Sequence, residues 1–158
     1  QQSKLDENAA AQDFIRFIES VEGQQIISDN GYISIDVTDN YTASGVSGGI
    51  SLNGSTSVGP VMEKLAESYK GLNPDVTIDI QQTGSGAGIT SATEGTCDIG
   101  MSSRELKQEE LDAGLTEMKI ADDGIAVIVN LENPIENITS DEIMKIYTGE
   151  ITNWSELA

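Results

Sequence analysis

Apolar positions along the chain change period several times, and the changes outline a fold. Between residues 8 and 30, Phe14, Phe17, Ile18 and Val21 recur at i, i+3, i+4 and i+7, which puts them on one face of a helix. Asn8 is placed to cap that helix, Gly23 to kink or interrupt it, Ile26 and Ile27 to continue its apolar side, and Gly31 to end it. Residues 32–35, Tyr-Ile-Ser-Ile, read as a short strand or extended segment. From 36 to 49 the composition shifts to Thr, Ser, Asn and Gly, that of a flexible connector, and a boundary between two sequence units falls there.

Two strand–turn–helix units follow. Ile50 to Asn53 is a strand, Gly54-Ser55-Thr56-Ser57 a small-residue turn, and Val61, Met62, Leu65, Ala66 and Tyr69 the apolar face of a helix that Gly71 ends. Val76-Thr-Ile-Asp-Ile80 alternates as a second strand and delivers the chain to Thr83-Gly84-Ser85-Gly86-Ala87-Gly88 and a helix reaching residue 94. Such alternation predicts an α/β fold with a parallel sheet and right-handed crossovers, in which both turns lie at the carboxyl ends of their strands and face one crevice. If 97–101 is a third strand, Ser102-Ser103-Arg104 joins them at the same edge. Further on, 105–113 reads as a short acidic helix, 117–121 as extended, and 124–130, Gly-Ile-Ala-Val-Ile-Val-Asn, as a strand covered on both faces. Thr139 or Ser140 caps a last helix bearing Ile143, Met144, Ile146 and Tyr147, and Gly149 closes it.

Composition narrows the function classes. A chain of 158 residues can bury about 70% of its unfolded surface in one core, and no apolar run approaches the ~18 residues of a membrane helix. With 8 Lys and Arg against 27 Asp and Glu the net charge is −19, which leaves no basic face for nucleic acid and makes solubility the plain reading of so much acid. A small anion is still accommodated, because a few aimed donors dominate locally over surface charge screened beyond about 8 Å. The absence of histidine removes His triads and His-ligated metals. Cys97 is the single cysteine and reads as a packed thiol in a buried strand. No signal peptide is recognised, which fits either a mature or trimmed exported protein or a cytosolic one.

Each hydroxyl-rich turn taken alone is adequately explained as a helix cap, and Arg104 as the partner of Glu105 or Glu109 on an exposed helix. The glycine-rich turn at 84–88 lacks the Lys-Ser/Thr pair of a P-loop and the acidic partner of a dinucleotide fingerprint. Convergence is what carries chemistry here: three turns at one sheet edge would supply about six donors and one guanidinium, a set suited to a tetrahedral oxyanion. No base or activated nucleophile accompanies them, so binding fits better than turnover, and no cofactor or metal is expected.

Gly54-Ser-Thr-Ser-Val-Gly-Pro60, Gly84-Ser-Gly-Ala-Gly88, Asp98-Ile-Gly-Met-Ser-Ser-Arg104 and Ile146-Tyr-Thr-Gly-Glu-Ile-Thr-Asn-Trp154 resemble, in order and spacing, the substrate-binding component of bacterial phosphate ABC transporters. The resemblance runs from about residue 50 to the end. It implies the first lobe of a type II periplasmic-binding-protein fold, a central and mainly parallel sheet flanked by helices. It also implies inorganic phosphate as ligand, a membrane permease as partner of the full-length protein, and an extracytoplasmic, tethered location. Carried onto this chain, the ligand donors are Thr56 and Ser57, Ser85, and Ser103 with Arg104, supported by Gly54, Ser55, Gly84, Gly86 and Ser102. Some members of the family have Asp, able to accept a proton from hydrogen phosphate, where Ser103 stands.

Two departures accompany the resemblance. A second lobe with its own Gly-Ser-Gly-Thr-Arg-like turn is not found in these residues, so the expected site is half a clamp. Residues 1–35, with Phe14-Ile-Arg-Phe-Ile18 and Gly31-Tyr-Ile33, resemble the family's carboxyl-terminal segment, here ahead of the 36–49 connector and a 50–158 core. The whole then reads as one domain, a circularly permuted first lobe or a piece of a tandem array; a helix exchanged in a domain-swapped dimer is the alternative. The alternative function is a protein-interaction or scaffold module that has kept the fold without the ligand.

Overall fold

The computed structural model describes residues 5, 7–124 and 126–157. Two compact units divide the chain, Gln1–Gly124 and Ile125–Ala158.

The first unit is built on a parallel sheet in the order β3-β2-β4, with β2 at Gly48–Gly54, β3 at Val76–Gln82 and β4 at Ile99–Met101. Leu52 stands opposite Ile80 on one side and Ile99 on the other, so the central strand carries the apolar register. Helix α3, Gly59–Leu72, turns Val61, Met62, Leu65, Ala66 and Tyr69 into the core, and α4, Ser85–Glu94, buries Gly88, Ile89 and Ala92. Both parallel connections pass through a helix, as the alternation of periods predicts.

The N-terminal residues complete this core. Helices α1 (Ala9–Ile18) and α2 (Val21–Asp29) bring in Phe14, Phe17, Ile18 and Ile27, none with exposed surface. Asn8 caps α1 as expected, accepting from the Ala11 N–H. The interruption falls at Ser20 rather than Gly23. The Ser20 hydroxyl accepts from the Gly23 N–H at 3.2 Å and starts α2, while Gly23 lets the two helices meet, since a Cβ there would lie 2.1 Å from the Phe17 carbonyl oxygen. Because the helix is reset at Ser20, the i+7 position is lost from the buried face and Val21 is 41% exposed.

The 36–47 stretch has no regular structure, yet it is fastened. Its Asp39 carbonyl accepts from the Val21 N–H at 2.9 Å, and the Tyr41 ring meets Phe17 at 5.1 Å between centroids. Tyr41 and Tyr69 both donate to Asp13 Oδ2, at 2.5 and 2.8 Å, so a carboxylate that is 4% exposed is held by two phenols and by Arg16 at 2.8 Å. Burial pushes the Asp13 carboxyl up, but hydrogen bonds from Tyr41, Tyr69 and Ser44 and the Arg16 charge outweigh it and hold it below its ordinary value. Helix α3 ends one residue past Gly71, at Leu72: buried Asn73, whose amide donates to the Tyr41 hydroxyl at 2.8 Å, takes the cap, and Pro74 prevents continuation.

At one side of the unit β1, Ile33–Ser34, pairs antiparallel with β5, Ala121–Asp122. The acidic helix expected at 105–113 is the shorter α5, Gln108–Asp112.

In the second unit α6, Ser140–Thr148, is closed by a capping box between Thr139 and Glu142 and by Gly149 in the left-handed conformation, as its sequence indicates. A 3-10 turn, Trp154–Leu157, follows. The strand expected at 124–130 is not formed: residues 126–130 have no regular structure, and Ile125 lies outside the described residues. Apolarity alone does not make a strand, which needs a neighbouring ladder for its N–H and C=O groups and cover for its faces. Here Val127 and Ile128 are 52% and 89% exposed, and no described residue of this unit is buried.

Candidate oxyanion site at the carboxyl edge of the sheet

The three turns come together because β2, β3 and β4 are parallel and in register, so all three leave the sheet at one edge. Backbone bonds lock them: the Ser55 N–H donates to the Met101 carbonyl at 2.9 Å, and the Gly84 N–H to the Gly54 carbonyl at 2.8 Å. Gly54 is required at the junction, with φ +144° and a position where any Cβ would lie 2.1 Å from the Met101 carbonyl oxygen.

Ser85 and Ser103, 18 positions apart in sequence, meet here. Their hydroxyl oxygens are 3.2 Å apart, and the Ser103 N–H also donates to Ser85 Oγ at 3.2 Å. Ser85 is the first residue of α4, whose N-terminus has no side-chain cap, so its leading N–H groups are turned to the same edge. Ser102 works as a support: its hydroxyl donates to the Arg104 carbonyl at 2.7 Å and accepts from the Arg104 N–H at 3.2 Å.

On the first turn, Ser55 is 2% exposed and accepts from the Ser57 and Val58 N–H groups at 3.2 and 3.3 Å, shaping the approach to α3. Thr56 and Ser57 are exposed, and among the described residues their hydroxyls make no hydrogen bond. Gly84 and Gly86 flank Ser85, with Gly84 at φ +96°.

Arg104 is at the edge, but its guanidinium is engaged. It grips Glu110 in a two-point fork at 2.9 and 2.7 Å and donates to the Glu105 carbonyl at 2.8 Å. The partner is therefore Glu110, not the Glu105 or Glu109 carboxylate that sequence spacing suggests. The Arg104 guanidinium and the Lys107 N–H hold the Glu110 carboxyl down to about 2.

Sequence reasoning missed Tyr32, whose hydroxyl donates to the Ser57 carbonyl at 2.8 Å and which shares a cavity wall with Ser57, Ser103 and Arg104. A lone tyrosine after a helix carries no local signal for such a role.

A parallel sheet with hydroxyl-bearing turns gathered at its carboxyl edge defines an α/β lobe, and the chain belongs to the PBP superfamily, whose domain profile matches residues 39–158. Among its relatives, the phosphate-binding protein PstS 2 of Streptococcus agalactiae is 45% identical over 152 residues, 96% of this chain and 52% of that protein. The crystal structure of a phosphate-binding protein of a phosphate ABC transporter from Streptococcus pneumoniae TIGR4 superposes with a TM-score of 0.89 at 47% identity, over 99% of this chain and 60% of that one. A putative phosphate ABC transporter substrate-binding protein from Clostridium perfringens, solved with bound phosphate, matches 70% of this chain and 45% of its own at 56% identity and a TM-score of 0.57. The chain thus spans about half the length of the curated relatives it matches. The streptococcal matches are long enough to include the N-terminal helices together with the lobe.

Proposed function

We propose that this chain is the phosphate-binding lobe of an ABC-transporter substrate-binding protein, which captures inorganic phosphate outside the membrane and delivers it to a permease. The observation that carries this reading is the meeting of Ser85 and Ser103, hydroxyls 3.2 Å apart, beside the uncapped start of α4 and the exposed hydroxyls of Thr56 and Ser57. Hydroxyls both donate and accept, so they match a hydrogen phosphate that carries one proton and several bare oxygens. Neither serine hydroxyl hydrogen-bonds a base among the described residues, which favours holding an anion over transforming it. Arg104 spends three of its five N–H donors on Glu110 and the Glu105 carbonyl, which leaves two N–H groups for an anion while the fork stays closed. The names of the relatives, and the bound phosphate of the Clostridium perfringens structure, support the same ligand.

One lobe supplies only one side of the donors and does not exclude water, so the 158-residue chain binds phosphate with an affinity on the order of millimolar, about −4 kcal/mol. Titrating 15N-labelled chain with phosphate at constant ionic strength tests this. Shifts should cluster at residues 55–58, 84–88 and 102–104. Ser85→Ala should weaken binding about 10-fold or more, since a hydrogen bond to a charged group is worth roughly 1.5–3 kcal/mol. Shifts scattered elsewhere would overturn the site, and micromolar binding by a monomer would overturn the half-site argument.

A further inference from the structure

The N-terminal segment does more than fill the core, because it reaches the binding edge. After α2, Gly31 at φ +87° turns the chain, and β1 pairs with β5. Gln24, 4% exposed, anchors this arrangement: its amide donates to the Ile18 and Ile120 carbonyls at 2.9 and 3.2 Å and its oxygen accepts from the Ile35 N–H at 2.9 Å. Tyr32 is thereby held between fixed points, half-buried, with its hydroxyl 2.8 Å from the Ser57 carbonyl oxygen.

The turn that Tyr32 touches is the one whose ligand hydroxyls are held through the backbone alone among the described residues. Ser55 grips it from beneath through the Ser57 and Val58 N–H groups, and Tyr32 grips it from outside through the Ser57 carbonyl. Thr56 and Ser57 make no hydroxyl bond among the described residues, so their direction is set by the backbone that these two contacts hold.

We propose that Tyr32 is a positioning residue of the oxyanion site, fixing the Thr56–Ser57 turn so that its donors are aimed before the anion arrives. The proposal rests on the phosphate reading of that site. Without the phenol hydroxyl, the Ser57 carbonyl turns to water and the turn samples other orientations, which phosphate must then restrict on binding. Folding is little affected, because the carbonyl is solvated and the ring stays packed.

The test is Tyr32→Phe, which keeps the ring, in the same phosphate titration followed by NMR. Phosphate affinity should fall about 3- to 10-fold, with altered amide shifts at Ser57 and Val58 in the free protein and a thermal midpoint within about 2 °C of wild type. Unchanged phosphate affinity overturns the proposal. So does a midpoint lowered by more than about 5 °C, which would make the hydroxyl a structural strut. A wild-type chain that gives no clustered phosphate shifts overturns the phosphate reading itself, and Tyr32's role with it.

Discussion

Two stretches whose apolar residues both predict burial, one at helical spacing and one as a continuous run, meet opposite ends. In the first unit Phe14, Phe17 and Ile18 have no exposed surface, whereas in the second Ile128 and Leu131 are 89% and 103% exposed. The difference does not lie in the residues themselves. Phe14 and Phe17 find Tyr69 at 5.0 and 5.5 Å between ring centroids, and Asp13 beside them is met by two phenols. Among the described residues of their own unit, residues 126–131 have no such neighbours. An apolar run supplies the tendency to be buried; the elements that cover it are set elsewhere in the chain.

The largest effect that sharpens this contrast comes from Phe17→Ala. Removing a fully buried phenyl that contacts Tyr41 and Tyr69 should cost about 3–5 kcal/mol, read as a lowered midpoint in urea unfolding of the first unit. A cost below about 1 kcal/mol would mean that α1 is not part of the lobe's core.

Asp13 provides the next effect, and it is pH-dependent. Its carboxyl is held below the ordinary value by Tyr41, Tyr69, Ser44 and Arg16 acting against burial. A carboxylate with a depressed folded-state pKa contributes stability that is present above its unfolded value, about 3.9, and is lost as pH falls through the folded value. Asp13→Asn should therefore lower stability at pH 7 by about 1–3 kcal/mol and flatten the loss of stability below pH ~4, seen by comparing denaturation midpoints of the two proteins across pH. Parallel curves for the two proteins would remove Asp13 from the fastening of α1.

Local signals made most of the first unit legible, and the last helix of the second. Strands β2 and β3, the cap at Asn8, the gathering of Ser85 with Ser103 and, in the second unit, the cap at Thr139 all follow from period, turn chemistry and the rule that parallel strands end on one edge. What failed to show were features that depend on how elements are placed in space rather than on local period or turn chemistry. The Arg104–Glu110 fork depends on where α5 begins, and the Tyr32 contact spans 25 positions to the Ser57 carbonyl. The break at Ser20 was hidden because Gly23 is the stronger helix-breaking signal, while its actual service is to let α1 and α2 touch. The expected 124–130 strand rests on apolarity, which reports burial only when a partner ladder exists.

The smallest expected effect lies in that stretch. Ile128→Thr and Leu131→Asn remove apolar surface that is already in water, so unfolding free energy should change by no more than about 0.5 kcal/mol. A fluorescent probe of exposed apolar surface should bind the double variant less than wild type. A loss above about 2 kcal/mol in equilibrium unfolding would break the comparison, since it would show that these side chains are covered in solution and that the two stretches share one fate. The same substitutions in the Phe14–Ile18 helix face would bury an unmet polar group at a cost of roughly 2–7 kcal/mol, so the size of the response reports cover directly.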